Sequence, residues 1–289
     1  MINRVGGALL LLGSAGGIVS VSASGAAVQS EPRMVDARGK EAVVYLDGNL
    51  NGRVVGPMQV AGPFRAVESA KSLRARNLVV RDITAVQLQR DGIRLRGEID
   101  GARVQNFRLA MRAQPQSGPN LPIGIALVSG RGLVVDNGVV RGFRMERVPG
   151  KYTNGDGIAA ERKVHGLVIR NVAALDNSDA GFDLKSSETR LDGLRAERNG
   201  RNYRFWSTVD AGTLTSIDPR GAHVWLAKGA NVRIRRLVAR SASPTPLIQL
   251  EDSATLVIDQ CDLRLPRGSV LVEGATAQVR LGRGCQLRR

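Results

Sequence analysis

Short apolar runs with alternating polar residues recur along most of the chain. The clearest runs are Leu78–Val80, Leu133–Val135, Leu167–Ile169, Val232–Ile234, Leu256–Ile258 and Val279–Leu281, with a weaker copy at Arg190–Asp192. Measured between their last residues, Ile169 to Leu191 is 22 positions, Ile234 to Ile258 is 24 and Ile258 to Leu281 is 23. A second apolar series leads each repeat at Gly157-Ile158, Gly181-Phe182, His223-Val224, Leu247-Ile248 and Val270-Leu271. Such alternation predicts strands with one face in a core.

A period of 22–24 residues built from short strands predicts a solenoid, because one unit cannot bury its apolar face alone. Leucine-rich repeats share this period, but their leucine and asparagine pattern is missing, and no ten-residue helical stretch separates the strands. We therefore predict an all-β fold, a single-stranded right-handed parallel β-helix with two or three strands per coil. Asn137, Asn171, Asn177 and Asn199 follow strands, where asparagine favours turns.

The two cysteines, Cys261 and Cys285, lie one predicted coil apart. Adjacent coils are separated by about 4.8 Å, so these side chains either stack inside the helix or form a disulfide. The sequence favours the simple inward stack over the bridge. Both arrangements are compatible with an oxidising compartment.

The chain divides into three predicted parts. Residues 1–27 combine a basic start, an apolar middle and a small-residue end, which is typical of a secretory signal peptide cleaved near Ala26 or Ala27. An uncleaved anchor is the alternative; no other segment is long and apolar enough to span a bilayer. Residues 28–75 are predicted as a leader and cap, and residues 76–289 as the β-helix. Two interruptions are expected, a loop at 114–122 and an aromatic insertion at 201–220.

Charge and export together indicate the class of partner. The formal net charge is +16, and of the 42 basic residues only six are lysines. Arginine binds carboxylates and phosphates in bidentate geometry, so a polyanionic partner is expected. Because the protein is predicted to be secreted or periplasmic, nucleic acid is disfavoured and an acidic polysaccharide is favoured. An arginine-rich composition without any specific partner is the alternative.

Strand alternation gathers reactive residue types on one lateral face. Phe182 and Leu184 are predicted to face the core, so Asp183 and Lys185 face outward. Neighbouring coils and turns are expected to add Asp156, Glu161, Asp179, His223 and Trp225 to the same face. The predicted insertion, with Tyr203 and Trp206, would form a wall beside it.

The stretches Asn154-Gly155-Asp156-Gly157-Ile158 and Asp179-Ala180-Gly181-Phe182-Asp183 resemble the calcium-binding coils of certain bacterial pectate lyases. The resemblance covers roughly residues 150–230. It implies a β-helix in which Asp156, Asp179 and Asp183 bind calcium, a possible cofactor. The family's fourth aspartate corresponds to Ala180, and its catalytic lysine corresponds to Trp225.

These residues allow removal of a proton beside a uronate carboxylate, that is, β-elimination. Calcium or arginine would neutralise the carboxylate while a base removes the proton. We predict Lys185 or His223 as the base and Arg201 and Arg204 as carboxylate clamps. Sugar-binding residues are predicted to be Trp225, Trp206, Tyr203 and Glu161. The alternatives are an ion pair of Lys185 with Glu161 or Asp183, and a solvated loop for the two arginines.

The sequence thus predicts an exported polysaccharide lyase-like β-helix that acts on an acidic, uronate-containing polysaccharide. The alternative is a non-catalytic β-helix that binds glycans or serves as a surface structure. Hydrolysis would need a carboxylate pair, which the three aspartates could supply. However, the Asn-Thr-Asp, Asp-Asp and Gly-His-Gly runs of β-helix polygalacturonases are missing, as are nucleotide-loop and zinc-protease motifs.

Overall fold

The structure is a computed structural model that describes residues 19–21, 42–117, 121–274 and 278–287. The strands are β1 (Val19–Val21), β2 (Ala42–Leu46), β3 (Val54–Val55), β4 (Met58–Ala61), β5 (Arg65–Ser69), β6 (Arg74–Arg76), β7 (Val79–Leu88), β8 (Asp91–Leu95), β9 (Glu98–Asp100), β10 (Arg103–Met111), β11 (Ile123–Arg131), β12 (Val134–Arg141), β13 (Asp156–His165), β14 (Val168–Leu175), β15 (Ala180–Leu184), β16 (Thr189–Asp192), β17 (Leu194–Glu197), β18 (Arg201–Phe205), β19 (Thr208–Ile217), β20 (Val224–Leu226), β21 (Asn231–Arg240), β22 (Ile248–Leu250), β23 (Thr255–Arg264), β24 (Val272–Gly274) and β25 (Val279–Arg283).

The strands form two parallel sheets that stack coil upon coil. Sheet A contains 13 strands and follows the order β1-β2-β5-β8-β11-β13-β15-β18-β20-β22-β24, with β6 and β9 beside this path. Sheet B contains 12 strands, with main order β25-β23-β21-β19-β16-β14-β12-β10-β7-β3. Successive coils contribute to each sheet in turn, over about ten turns. This arrangement confirms the predicted all-β parallel β-helix.

Stacking begins earlier than the sequence boundary at residue 76. Strand β2 already pairs with β5, Val44 opposite Val67, and the burial of β2 alternates along its length. The leader predicted for 28–75 therefore contains complete coils, which lack the Leu-Val-Ile run used to find the repeat. Strand β1 pairs with β2 although it falls within the predicted signal peptide, whose other residues lie outside the described part.

The number of residues per coil varies along the β-helix, and the prediction of an insertion at 201–220 is wrong. Ala126 pairs with Ala159, an offset of 33 residues, because residues 142–155 leave the coil before β13. Asp183 pairs with Arg204, an offset of only 21. Residues 201–220 are therefore no insertion: β18 and β19 form an ordinary coil with aromatic residues in place of the usual aliphatic run.

The interior is built from in-register apolar rows, and in sheet A three aromatic rings from β15 and β18 stack together. Phe182 pairs with Tyr203 at a centroid distance of 5.4 Å, and Tyr203 lies 6.0 Å from Phe205. Tyr203 is fully buried, and its hydroxyl donates to the Thr215 carbonyl at 2.8 Å. The prediction that Tyr203 binds sugar is therefore wrong, because the alternation within β18 points this ring into the core.

Glycine is needed where the two sheets approach most closely. A Cβ atom added at Gly157 would lie 2.6 Å from the Gly181 carbonyl oxygen and 2.9 Å from Cβ of Ala174. Atoms do not pack at these distances without displacement of a neighbour. The glycine that follows Asp156 thus allows sheet A to lie against sheet B directly behind the candidate site.

The predicted asparagine turns are of two kinds. Asn137 and Asn171 have φ of 55° and 54°, the left-handed conformation expected of turn asparagines. Asn177 and Asn199 are instead buried, and the amide of Asn177 donates to the Asn199 side-chain oxygen at 2.8 Å. Their side chains connect neighbouring coils inside the helix.

The two cysteines form a disulfide between the last coils. Cys261 lies in β23 and is bonded to Cys285, which follows β25. The sequence-based preference for an unbonded stack is therefore wrong. The one-coil spacing from which the neighbouring positions were predicted is correct, because it brings the two Cα atoms to 4.7 Å.

Candidate functional site

The outer face of sheet A carries one continuous row of in-register residues, which we call the sheet A row. It comprises Glu68, Arg94, Ala126, Ala159, Asp183, Arg204, Trp225, Gln249 and Glu273. In-register residues of parallel strands project from the same face. The structure thus brings Asp183 and Trp225 together on one face as the sequence predicts, with Arg204 between them.

Asp183, at the centre of the row, is one of three buried aspartates that lie close together. Asp156, Asp179 and Asp183 are 2%, 4% and 4% exposed. Burial raises the pKa of Asp156, and the negative charges of Asp183 and Asp179 raise it further. Burial also raises the pKa of Asp183, outweighing the opposite effects of Arg204 and Lys185. Perturbed carboxyl groups that cluster on one face are typical of functional sites.

Arg204 connects the aspartates to an aromatic surface. Its Nη1 donates to Asp179 Oδ2 at 2.9 Å, and its Nε lies 3.6 Å from Asp183 Oδ1. The guanidinium carbon lies 4.8 Å from the ring centroid of Trp206 and 5.3 Å from that of Trp225. These distances are within cation–π range. Arg204 is therefore held in place by charge on one side and by indole rings on the other.

The two tryptophans pack edge to face, with ring centroids 5.0 Å apart. The Trp206 indole N–H donates to Asp183 Oδ1 at 2.5 Å. Trp206 is half-buried, whereas Trp225 is only 8% exposed. Trp206 thus remains available to a ligand, and Trp225 mainly supports it.

Lys185 is engaged in ion pairs within the cluster. Its ammonium donates to Glu161 Oε1 at 3.0 Å and lies 3.6 Å from Asp183 Oδ2. Burial lowers the pKa of Lys185, but Asp183 and Glu161 outweigh it, so the pKa is raised overall. A lysine that stays protonated cannot remove a proton. The geometry therefore supports the ion-pair alternative for Lys185 and Glu161.

Arg201 is the first residue of β18 and lies at the edge of the cluster. Its Nη1 lies 3.9 Å from Asp179 Oδ1, and its side chain is 34% exposed. Its guanidinium carbon lies 5.7 Å from the Trp225 ring centroid. Within the described chain, the buried Nε atoms of Arg201 and Arg204 have no hydrogen-bond partner. The Arg201 side chain is more exposed than that of Arg204, so Arg201 is the arginine that an incoming anion can reach.

Tyr152 was not identified from the sequence. Its hydroxyl bonds to Asp179 Oδ2 and accepts a hydrogen bond from Arg204 Nη1 at 2.6 Å. The residue is 61% exposed. It comes from the segment between β12 and β13, outside any strand repeat, so no periodic signal marks it. The Asn154-Gly155-Asp156 turn directly after it is the nearest clue.

His223 lies inside the helix and not on the outer face. It is fully buried, with Nδ1 2.8 Å from Ser216 Oγ and Nε2 3.0 Å from Ser241 Oγ. Burial lowers its pKa to about 4. The prediction of His223 as a solvent-facing base is therefore wrong. It precedes β20, whose first residue is Val224, so strand alternation does not determine its direction.

The three aspartates do not fit calcium in this arrangement. Asp179 is held by Arg204 and Tyr152, Asp183 by Trp206 and Lys185, and Asp156 accepts from the Ala180 backbone N–H at 2.9 Å. Calcium is bound by six to eight oxygen ligands. Over the described ranges, no group of three acidic, histidine or cysteine side chains is arranged to hold a metal ion. Calcium binding stays a prediction.

A separate groove of about 560 Å³ lies outside sheet B. Its lining includes Asn106, Asn137 and Asn171, with Arg108 and Arg195 beside them. None of the residues predicted from the sequence as site residues lines it. The chemistry-bearing residues therefore lie on the opposite sheet from this concavity.

Comparison with solved structures shows a likeness to a tailspike protein. The crystal structure of the Dettilon tailspike protein (gp208) aligns with a TM-score of 0.42 and 11% sequence identity. The alignment covers 86% of this chain and 63% of the tailspike chain, so this chain spans just under two thirds of that protein's length. No protein-family model matches the sequence. No curated protein matches it either.

Proposed function

We propose that this protein binds an acidic polysaccharide on the outer face of sheet A, at the cluster around Arg204. The observation that carries the proposal is the position of Arg204 between Trp206 and Trp225, 4.8 and 5.3 Å from their ring centroids. Aromatic faces can pack against sugar rings while guanidinium groups bind carboxylates. This combination is suited to a ligand with both features.

Several properties of the site suit a uronate polymer. The side chain of Arg201 is 34% exposed, and a guanidinium binds a carboxylate through two parallel hydrogen bonds. Tyr152 adds an exposed ring and a hydroxyl at the edge. The net charge of +16 attracts a polyanion over long range and increases its rate of association.

Export to a secreted or periplasmic location belongs to the same proposal. Its supports are the signal-like residues 1–27 and the Cys261–Cys285 disulfide, which is typical of oxidising compartments. Among the described residues, no helix is long and apolar enough to cross a membrane.

The binding proposal is tested with a panel of uronate and neutral polysaccharides, using isothermal titration calorimetry. Arg201→Gln removes one clamp at a partly exposed position, and Arg204→Lys keeps the charge but loses the planar fork. We expect Arg201→Gln to weaken uronate binding about 10- to 100-fold, the size of one charge-assisted hydrogen bond. Arg108→Gln, the same change on the exposed face of sheet B, is the matched control. Equal losses in Arg201→Gln and Arg108→Gln would reduce the proposal to non-specific charge attraction.

The Tyr152 contacts favour cleavage by β-elimination as a second candidate function. The phenol accepts from Arg204 Nη1 at 2.6 Å while it bonds to Asp179. In the proposed step, Asp179 is the base and the Tyr152 hydroxyl relays the proton: its oxygen takes the proton beside the uronate carboxylate while its own proton passes to Asp179. The bond to the glycosidic oxygen breaks as a carbon–carbon double bond forms. The departing oxygen takes a proton from water, and the hydroxide that remains takes the proton from Asp179. Arg201 and Arg204 hold the carboxylate.

Cleavage is followed by the ultraviolet absorbance of the new double bond. We expect Tyr152→Phe to abolish turnover and to leave binding within a few-fold of wild type, because only the hydroxyl is lost. Turnover is expected to be the same with calcium and with chelator, since arginines supply the positive charge. A flat trace for the wild type together with retained binding would leave a non-catalytic glycan-binding β-helix.

A further inference from the structure

A second charged cluster lies on the outer face of sheet A, towards the N-terminal end. Arg65 Nε donates to Asp91 Oδ2 at 3.0 Å, and Arg65 Nη1 donates to Glu68 at 2.9 Å. Arg96 also pairs with Glu68, while Arg90 and Arg94 lie 3.7 and 3.6 Å from Asp91. Four arginines thus surround two carboxylates, and the cluster carries excess positive charge.

The cluster has unused hydrogen-bonding capacity of both signs. In the described part of the chain, Asp91 Oδ1 and Arg94 Nε are buried and have no hydrogen-bond partner. The Asp91 side chain is 0% exposed, whereas those of Arg90 and Arg94 are 18% and 24% exposed. A buried polar atom without a partner is costly. An anionic ligand can reach the partly exposed guanidinium groups of Arg90 and Arg94, whereas the Asp91 carboxylate lies out of its reach.

The same local sequence builds both clusters. Asp91-Gly92-Ile93 and Asp156-Gly157-Ile158 each begin a sheet A strand with a buried aspartate. In both, an arginine on the sheet A row lies close to buried carboxylates: Arg94 beside Asp91, and Arg204 beside Asp179 and Asp183. The two clusters therefore share a buried aspartate at the start of a strand and an arginine of the sheet A row beside buried carboxylates.

The spacing between the clusters suits a polymer and is too large for a single ion. Arg94 and Asp183 occupy the sheet A row three coil steps apart, which is about 14 Å at about 4.8 Å per step. The two intervening positions are Ala126 and Ala159. No long side chain stands on the row between the two charged groups.

We propose that Arg94, with Arg90 and Asp91, forms a second subsite that binds a further uronate residue of the same chain. This inference rests on the proposed function. Arg94 and Arg90, whose side chains are partly exposed, bind the uronate carboxylate, and the buried Asp91 carboxylate holds both guanidinium groups in position. An acidic polysaccharide is then held at two points, with the alanine positions beneath the intervening sugars.

The test measures the affinity of oligogalacturonates and oligoglucuronates of two and six residues for the full chain. A disaccharide is too short to reach from Arg204 to Arg94, whereas a hexasaccharide reaches both. We expect Arg94→Gln to weaken hexasaccharide binding about 10-fold or more and to leave disaccharide binding unchanged. The hexasaccharide affinity of Arg94→Lys is expected to lie between those of the wild type and Arg94→Gln, because lysine keeps the charge but lacks the planar guanidinium group. Arg108→Gln on sheet B is the control for charge, and circular dichroism checks that each variant is folded.

The outcomes separate this inference from the proposed function. Unchanged hexasaccharide binding in folded Arg94→Gln, with Arg201→Gln still impaired, would overturn the second subsite alone. An equal loss for both oligomer lengths would also overturn it, since the effect would then not depend on reach. A wild-type protein that binds neither oligomer would overturn the proposed function together with the inference.

Discussion

At the scale of single residues, burial decides which of the polar side chains can act on a ligand. His223 and Asp183 are both buried, but His223 points into the β-helix and Asp183 points to its outer face. His223 bonds to Ser216 and Ser241 inside the helix, whereas Asp183 bonds to Trp206 on the outer face. The first residue is therefore a structural element, and the second belongs to the candidate site.

His223 should make the protein less stable as the pH falls. Its pKa in the folded protein is about 4, below the ordinary value of 6.5, because burial disfavours the charged form. The unfolded chain thus binds the extra proton between pH 6.5 and 4. The resulting loss of stability approaches about 1.4 kcal/mol per pH unit within this window and vanishes above it. Urea unfolding at several pH values measures the effect.

The two histidines of the chain provide the control for this prediction. His223→Gln should show a smaller loss of stability between pH 6.5 and 4 than the wild type. His165→Gln, at an exposed position, should keep the wild-type slope. Identical slopes in the wild type and His223→Gln would contradict the assignment.

Tyr203 and Tyr152 should respond in opposite ways to loss of their hydroxyl. Tyr203→Phe leaves the Thr215 carbonyl without its 2.8 Å hydrogen bond inside the core, so stability should fall by about 1–3 kcal/mol. Polysaccharide binding should be unchanged. Tyr152→Phe should leave stability close to wild type because the residue is exposed. If Tyr203→Phe instead weakened polysaccharide binding and left stability unchanged, Tyr203 would belong to the ligand-binding surface and not to the core.

At the scale of secondary structure elements, the last strand depends on the disulfide. Strand β25 pairs with β23 alone among the described strands, and Cys261–Cys285 joins the same two coils. In a solenoid each coil contacts only its neighbours, so a terminal coil can open without the rest.

Removing the disulfide should therefore act locally. In Cys261→Ala/Cys285→Ala, amide hydrogen exchange should accelerate in β25 and the adjacent part of β23, while β13 and β15 keep wild-type protection. The expected cost in free energy of unfolding is about 3 kcal/mol for a loop of this length. Wild-type exchange in β25 of the double variant would show that strand pairing alone holds the terminal coil.

Strand periodicity predicted what is repeated along the chain and missed what is not. The 22–24-residue spacing identified the coils, and alternation within β15 placed Asp183 opposite Phe182 in direction. It did not predict the direction of His223, which precedes its strand. It also did not predict that of Tyr203, because the aromatic residues of 201–220 interrupt the aliphatic period and indicate an insertion. Tyr152 lies in a connection whose path the period does not determine.

At the scale of the whole molecule, the proposed ligand-binding residues follow one line along the β-helix. The sheet A row places the Asp91 cluster and the Arg204 cluster on one face, with Ala126 and Ala159 between them. The lining of the groove on sheet B includes Phe107 but none of the tryptophans or buried carboxylates. We therefore expect the polysaccharide to bind along sheet A, with the sugar chain running across successive coils.

A crystal structure of the protein with a bound uronate hexasaccharide tests this assignment most directly. We expect sugar density along the outer face of sheet A, with one uronate carboxylate at Arg201 and Arg204 and a second uronate carboxylate near Arg94. Sugar density in the sheet B groove beside Arg108 and Arg195, with sheet A empty, would contradict it.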